Sequence, residues 1–451
     1  MTQALAVVLA AGKGTRMKSD LPKVLHRIAG TSMLAHVLRT AAAAGVPQAA
    51  IVVGPGMDDV GDAGLAAAPE ARVFVQQEQL GTADAVKSAA DAYETAKGPV
   101  LVLYGDTPLL RPETVKAVLG ELEAGADLVV IGFEAADPTG YGRLLFDDKS
   151  RLSGIREEKD ATPAERALTL CNSGIMAFRS GETLSGLIDR IGNDNAKGEY
   201  YLTDAVALAY QEGLQTRVVL SNGDEVLGVN SRTELSVAEG LMQRRLRTAA
   251  MEQGATLVAP ETVFFCYDTV IGRDVLIEPN VIFGLGVTVE DGATIRAFCH
   301  LEKARVGPGA VVGPFARFRP GTELAQGARV GNFVEVKNAY LAEGAKVNHL
   351  TYIGDATVGP KANIGAGTIT CNYDGFDKHR TEIGAGAFVG SNTSLIAPVT
   401  IGDGAYIGSG SVISKDVPND ALALSRAQQE GREGWAAMVR ERRSRNTTKW
   451  D

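Results

Sequence analysis

The amino-acid sequence predicts an α/β protein of two domains joined by a helix: a parallel sheet wrapped by helices, then a left-handed parallel β-helix. Three observations carry that prediction. Strand-like apolar runs alternate with helical patterns through the first half, a polar helix-favouring stretch follows, and a six-residue rhythm runs from Ile271 to Ile413. At 451 residues the chain is also too long for a single core.

In the first half the runs ALAVVLA, AAIVVG, ARVFV, PVLVLYGD and ADLVVIGF are spaced by segments such as SMLAHVLRTAAAAG and TADAVKSAADAY. Alternation of this kind predicts a Rossmann-like parallel sheet covered by helices, over residues 1–230. Ligands in such folds sit beyond the carboxyl ends of the strands. The turn after the first strand, LAAGKGTRMKSDLPK, brings Gly12 and Gly14 to a place where main-chain N–H groups can surround a phosphate. Arg16 and Lys23 add positive charge for a triphosphate or a departing pyrophosphate. This is not the GxGxxG dinucleotide fingerprint. YGDTPL sets Asp106 just past a strand, where a carboxylate can hold Mg²⁺ or cap the next turn.

Residues 231–253, SRTELSVAEGLMQRRLRTAAMEQ, favour a helix, and Gly254 stops it. Its apolar positions are too sparse for a core helix, which leaves a connecting arm or a packed surface helix.

The second domain, 254–451, is read from its period. Guide residues fall at Ile271, Ile277, Phe283, Val289, Ile295 and Leu301, and after one-residue slips at Val306, Val312, Phe318 and onward. A helix needs spacings of three and four, whereas six is even and suits short strands whose guides all point inward. Eighteen residues make one triangular coil, and the guide count predicts eight coils. Between Thr370 and Ile383 the insertion CNYDGFDKHR must project as a loop, and solenoid loops tend to lie on the binding face. An inert prism has no use for His349, Glu335 and the cations Arg319, Lys337 and Lys378. The cations suit an anionic ligand. An imidazole, which titrates near neutrality, suits proton transfer, and Glu335 is a candidate to orient it. The basic tail ALSRAQQEGREGWAAMVRERRSRNTTKW reads as a solvated end.

A net charge of −9 argues against a general nucleic-acid binder. Cys171, Cys266, Cys299 and Cys371 show no CxxC spacing and suit a reducing compartment. ALAVVLAAG lacks the basic flank of a signal peptide, and no apolar run reaches the length of a spanning helix. The expectation is a cytoplasmic protein with neither nucleic-acid nor membrane partners.

LAAGKGTRM followed by DLPKVL resembles the signature of sugar-1-phosphate nucleotidyltransferases. With the hexapeptide β-helix behind it, the chain is similar from Leu5 to about Trp435 to the bifunctional GlmU family. These are N-acetylglucosamine-1-phosphate uridylyltransferases that are also glucosamine-1-phosphate N-acetyltransferases. The resemblance implies acetyl transfer from acetyl-CoA to glucosamine-1-phosphate in the prism. Transfer of UMP from UTP to the product would follow in the first domain, giving UDP-N-acetylglucosamine for peptidoglycan and lipopolysaccharide. It implies a homotrimer. For the nucleotide and its sugar it implies Leu9, Ala10, Ala11, Gly12, Lys23, Gln76, Gly81, Thr82, Tyr104, Gly105, Asp106, Gly140, Glu157, Asn172 and Asn230, with the GEYYLTD segment nearby. Within that set, Gln76 and the Gly81-Thr82 main chain would read uracil, and Asp106 and Asn230 would hold Mg²⁺. Arg16 and Lys23 would neutralise charge in the transfer. The family commonly has Gly-His where this chain has Ala83-Asp84. In the prism, resemblance implies His349 as general base and main-chain N–H groups around Asn372 for the oxyanion. Arg319, Lys337, Tyr352, Asn363 and Lys378 would bind glucosamine-1-phosphate. Ala366, Asn372, Tyr373, Ser391, Ser409 and Arg426 would contact acetyl-CoA, although family members often have Ala in place of Ser409. Two rivals stand beside this reading: a monofunctional nucleotidyltransferase whose β-helix serves assembly or regulation, as in ADP-glucose pyrophosphorylase-like enzymes, and a non-enzymatic scaffold.

Overall fold

Four of the five apolar runs of the first half become strands buried on both faces, and ARVFV becomes a largely exposed edge strand. In a computed structural model that describes residues 3–447, nine strands form one sheet. They are β1 (Leu5–Leu9), β2 (Gln48–Val53), β3 (Arg72–Val75), β4 (Val100–Tyr104), β5 (Leu128–Glu134), β6 (Gly142–Phe146), β7 (Leu152–Arg156), β8 (Leu170–Phe178) and β9 (Thr216–Leu220). The order is β9-β5-β8-β4-β1-β2-β3, with β6 and β7 attached through β8. Alternate residues of β1 enter different cores, which is why the run is apolar throughout. Ala6 and Val8 pack with Leu34, Val37 and Leu38 of the helix Met33–Ala43, while Leu5 and Val7 pack with Val86 and Ala89 on the other face.

The sheet is not wholly parallel, as the alternation predicts, but mixed. β8 lies antiparallel to both β4 and β5. It enters from the antiparallel pair β6–β7, so no crossover helix announces it. A bulge between Asn172 and Met176 also interrupts its pattern.

Two units make up the chain: Met1–Ala249 with Phe264–Tyr267, and Ala250–Val263 with Asp268–Asp451. The long helix Arg232–Glu252 lies in the first unit as far as Ala249 and is packed there, not a bare arm. Leu235, Ala238, Leu241, Met242 and Leu246, at helical spacing, lie against Ile28, Met33, Leu109 and Val229. Buried Gln243 is satisfied at both ends: its Nε2 donates to Phe265 O at 2.7 Å and its Oε1 accepts the Phe265 N–H at 2.8 Å.

In the second unit every guide residue from Ile271 to Ile413 is buried. Each stands in parallel register on the guide of the next coil, as in Ile277, Ile295, Val312, Val330, Val347 and Ile364. That wall gains Thr256–Leu257 below and Leu422–Ala423 above, making ten strands where the guide count predicts eight coils. The insertion is a closed loop bridged between Tyr373 and Lys378. Asp374 organises it by accepting the Asp377 and Phe376 N–H groups and the His379 ring, contacts that hold its carboxyl down at about 2. The tail, expected to be a solvated end, forms a helix over Trp435–Thr447; residues 448–451 lie outside the described residues. Among the described residues no helix is long and apolar enough to cross a membrane.

Candidate active sites

In the first unit a cavity of about 310 Å³ opens at the carboxyl ends of β1 and β4, where an open α/β sheet binds ligands. Its lining brings together Leu9, Ala10, Ala11, Gly12, Lys23, Gln76, Gly81, Thr82, Tyr104 and Asp106, all predicted from sequence, and adds Val24, Gln79, Ala85 and Glu199. Gly14 holds a left-handed φ of 61°, and a Cβ there would lie 2.5 Å from the Lys23 Cβ. Its bare backbone is what lets Lys23 turn inward. The Lys23 ammonium, almost fully buried, donates to Asp106 Oδ2 and, at 2.8 Å, to Asn230 Oδ1. Asn230 is brought in by the segment before the long helix, since the Val229 N–H donates to Asp106 O at 2.9 Å.

The QQEQLGTADA segment is fastened from two sides. Gln79 Nε2 donates to Ala11 O at 2.5 Å, tying it to the Gly-rich turn. Opposite, the Tyr200 N–H donates to Leu80 O at 2.8 Å, and Tyr200 O accepts the Ala83 N–H at 2.9 Å. Gly81, at φ 131°, lets the two chains meet, because a Cβ would fall 2.5 Å from Tyr200 O. Buried Gln76 gives its Nε2 hydrogens to Gly81 O at 3.2 Å and Asp84 Oδ2 at 2.7 Å.

Glu157 and Asn172 do not line the cavity but gather around Tyr104. Burial raises the Tyr104 hydroxyl, and the Glu157 and Asp106 charges add to it. Burial likewise raises the Glu157 carboxyl, which accepts from Thr203 Oγ1 at 3.2 Å. Asn172 Oδ1 accepts the N–H of Gly174, whose backbone lies against the Tyr104 ring. Gly105 donates its N–H to Leu9 O at 2.9 Å and holds β4 beside β1. Gly140 and Arg16 are exposed and stand outside the lining.

In the second unit the coils stack the predicted residues on neighbouring rungs. His349 pairs in register with Asn332 one coil below, and its Nδ1 meets Asn332 Oδ1 at 2.8 Å. With that oxygen accepting, the ring proton sits on Nδ1 and the lone pair is on Nε2. Glu335, the expected orienting group, instead accepts from Arg319 Nη1 at 3.1 Å. It stands on the next wall, in register with Arg317 and Tyr352, whereas Asn332 shares the wall of His349.

Arg319, Lys337 and Lys378 come near one another. Lys378 is pulled below its usual range by Lys337 first, with Arg319 adding to the effect. Asp355, absent from the sequence reading, binds this cluster. It accepts from Asn338 Nδ2 at 2.6 Å and from Asn372 Nδ2, and lies 3.5 Å from Lys337 Nζ. Burial would raise its carboxyl, but these donors outweigh it and hold it low. The signal was present as Asn338, Asp355 and Asn372 spaced by one 17-residue coil. The Asn372 N–H itself donates to Thr370 O at 3.0 Å, so that group of the expected oxyanion donors is engaged.

Tyr352 stands in register beside Glu335, and Asn363 between Lys346 and Phe388. Ala366, Ser391 and Ser409 climb one edge of the prism. Ala366 O accepts the Asn392 N–H at 2.7 Å, Ser391 O accepts the Gly410 N–H at 2.8 Å, and Arg426 Nη1 donates to Ser409 O at 2.8 Å. Tyr373 is exposed on the loop, its hydroxyl donating to Gly375 O at 2.6 Å.

Residues 6–168 match the family model of the MobA-like NTP transferase domain, and 380–415 that of the bacterial transferase hexapeptide (six repeats). The chain is 61% identical over 441 residues to the bifunctional protein GlmU of Azorhizobium caulinodans, covering 98% of each. It is 58% identical over 441 residues to that of Xanthobacter autotrophicus and 55% over 443 to that of a Bradyrhizobium species, again covering 98% of both chains. The matched span of 98% takes in both units, and at this identity the chain belongs to the bifunctional GlmU family.

Proposed function

We propose that the chain makes UDP-N-acetylglucosamine by two reactions at two separate sites. What supports this reading is that each unit gathers its own, different set of polar residues. One is Lys23, Asp106 and Asn230 at a strand-end cavity; the other unit holds the His349–Asn332 pair and the cations Arg319, Lys337 and Lys378.

In the second unit Arg319, Lys337 and Lys378 take the phosphate of glucosamine-1-phosphate, and Tyr352 and Asn363 the sugar. His349 Nε2 removes a proton from the sugar ammonium. The freed amine attacks the acetyl-CoA thioester carbonyl; a C–N bond forms, the C–S bond breaks, and CoA leaves as the thiol form after protonation. Acetyl-CoA lies along Ala366, Ser391, Ser409 and Arg426, with Asn372 and Tyr373 over it.

In the first unit the turn at Gly12 and the Lys23 ammonium receive the UTP phosphates, while Gln76, Gly81 and Thr82 receive the base. A phosphate oxygen of N-acetylglucosamine-1-phosphate attacks the α-phosphorus in line and pyrophosphate departs. Such a transfer needs position and charge neutralisation rather than a proton-transfer residue. Asp106 and Asn230 turn oxygens toward one point, the donor type Mg²⁺ takes. Among the described residues no group of three or more His, Cys, Asp or Glu could hold a metal, so the ion's other ligands would be phosphate and water. Mg²⁺ bound there would neutralise charge on the phosphates. Glu157 and Asn172, around Tyr104, would meet the sugar, and Arg16 would add charge for the departing pyrophosphate.

The working division is 1–230 for uridylyl transfer, 231–253 as connection and 254–451 for acetyl transfer. A cytoplasmic location follows from the supply of UTP and acetyl-CoA. A homotrimer is supported by the exposed ladder of Phe298, Phe315 and Phe333, stacked at 4.9 and 5.1 Å, which calls for cover.

The test assays wild type and His349→Ala for two products: CoA from acetyl-CoA with glucosamine-1-phosphate, and pyrophosphate from UTP with N-acetylglucosamine-1-phosphate and Mg²⁺. Loss of the first alone is expected. Wild type that never acetylates would leave a monofunctional transferase with a structural prism.

A further inference from the structure

We infer that Asp84 is a positioning residue for base selection, setting Gln76 so that its carboxamide oxygen faces the cavity and takes the N3–H of uracil. The inference rests on the proposal that Gln76 reads the base, and it adds a residue at which this chain departs from the Gly-His common in the family.

Gln76 is fixed before any ligand arrives. It follows β3 directly, its N–H donates to Val53 O at 2.9 Å, and its side chain is buried. An isolated carboxamide can turn over and exchange oxygen for nitrogen at little cost, which would let it greet either a donor or an acceptor. Here the two groups around Nε2 are both acceptors only: Gly81 O at 3.2 Å and Asp84 Oδ2 at 2.7 Å. Turning the amide would aim its oxygen at a carboxylate and a carbonyl. The charged partner makes that reversal the more costly of the two. Among the described residues no donor reaches Gln76 Oε1, while the residue lines the cavity. The oxygen is therefore the group offered to a ligand.

Uracil presents a ring N–H at position 3, and cytosine presents a lone pair there. An amide free to turn would serve both; one locked with its oxygen forward favours uracil and sets acceptor against acceptor for cytosine. Asp84 can do this without crowding the base. It sits in the first turn of the helix Thr82–Lys87 and borders a second groove lined by Leu80, Lys87, Ile188 and Tyr200.

The experiment compares wild type, Asp84→Ala, Asp84→Asn and Gln76→Ala, measuring pyrophosphate release with UTP and with CTP. KM and kcat are taken separately, and thermal melting serves as a control. Asp84→Ala is expected to raise the KM for UTP about tenfold, with kcat nearly unchanged, and to cut the preference for UTP over CTP by a similar factor. Asp84→Asn keeps a carboxamide oxygen that can accept from Gln76 and should return most of the preference. If Gln76→Ala loses the preference but Asp84→Ala keeps it, the role given to Asp84 is wrong and base reading by Gln76 stands. If Gln76→Ala also keeps it, the base-reading proposal itself fails. A lowered melting point with kcat reduced equally for both nucleotides would make Asp84 merely structural and overturn the inference.

Discussion

Replacing Asp355 by Asn should disable acetyl transfer while sparing uridylyl transfer. Asp355 is nine-tenths buried at a left-handed corner, φ 49°, a conformation Asn tolerates as well as Asp does. The change therefore removes charge and one acceptor without new backbone strain. In the wild type, Oδ1 accepts from Asn338 while Oδ2 serves Asn372 and Lys337. A carboxamide can supply only one of those faces and sets donor against donor at the other. Hydrogen bonds to a charged acceptor contribute about 1.5–3 kcal/mol each, so losing one and weakening the rest should cost the second unit about 2–4 kcal/mol. Lys337 and Asn372 would lose their common anchor, and kcat/KM for CoA release should fall roughly 10- to 100-fold, a change of about 1.4 kcal/mol per decade. The folded carboxyl lies below its unfolded value near 3.8. Its contribution is then full above about pH 4 and lost as pH falls through the folded value, so wild type and variant should differ in melting point at neutral pH and converge in acid. Wild-type acetylation with an unchanged KM for the sugar phosphate would refute this account of Asp355.

Gly81→Ala should cripple the nucleotide site alone. Its Cβ would press on the Tyr200 main chain at 2.5 Å, so pyrophosphate release should drop at least about tenfold while CoA release is kept. The first unit should weaken in mild acid. Burial, first of all, lowers both His26 and His36, aided by the Arg232 and Arg39 charges respectively. Folded values below 6.5 mean that the unfolded chain binds more protons there. Stability is then full above about pH 6.5 and lost below it, by up to about 1.4 kcal/mol per pH unit for each histidine. Melting followed from pH 7.5 to 5.5 should show the fall, and His36→Gln should flatten it. Burial pushes the Cys299 thiol up to about 11. Labelling of Cys299 by a thiol reagent at pH 8, followed by peptide mapping because Cys266 and Cys371 are partly exposed, should wait for unfolding, and its fast labelling in the folded protein would contradict its burial.

Periodic features were the most legible part of the sequence. The guide residues set the walls of the prism because burial at every sixth position is a strong and repeated constraint. The five apolar runs of the first half were equally plain. β8 escaped notice because Asn172, Ser173 and Gly174 break its pattern at a bulge, and an antiparallel insertion leaves no helix to mark it. The long helix hid its packed face among charged residues, since a single apolar stripe suffices against a cluster as small as that around Met33. Residue types at the sites were readable, but their pairings were not. Residue type alone favoured the carboxylate of Glu335, but His349 meets Asn332, one coil away. That depends on which wall each occupies, and a one-residue slip between coils decides it.

The prism shows why its chemistry collects where it does. A guide residue cannot change without opening a hole in the core, whereas outward and corner positions stack on their counterparts one coil away at no cost to it. Polar groups 17 residues apart are therefore neighbours in space, as His349 is to Asn332 and as Asp355 is to Asn338 and Asn372. A ladder of that kind brings donors and acceptors into contact with little ordering left to do, because the backbone rungs already fix their separation. The inserted loop then adds Lys378 from outside the repeat, opposite Lys337. Lys337 and Arg319 draw the Lys378 ammonium below its usual range while Asp355 works against them. In the proposed function the phosphate of the sugar would relieve that repulsion.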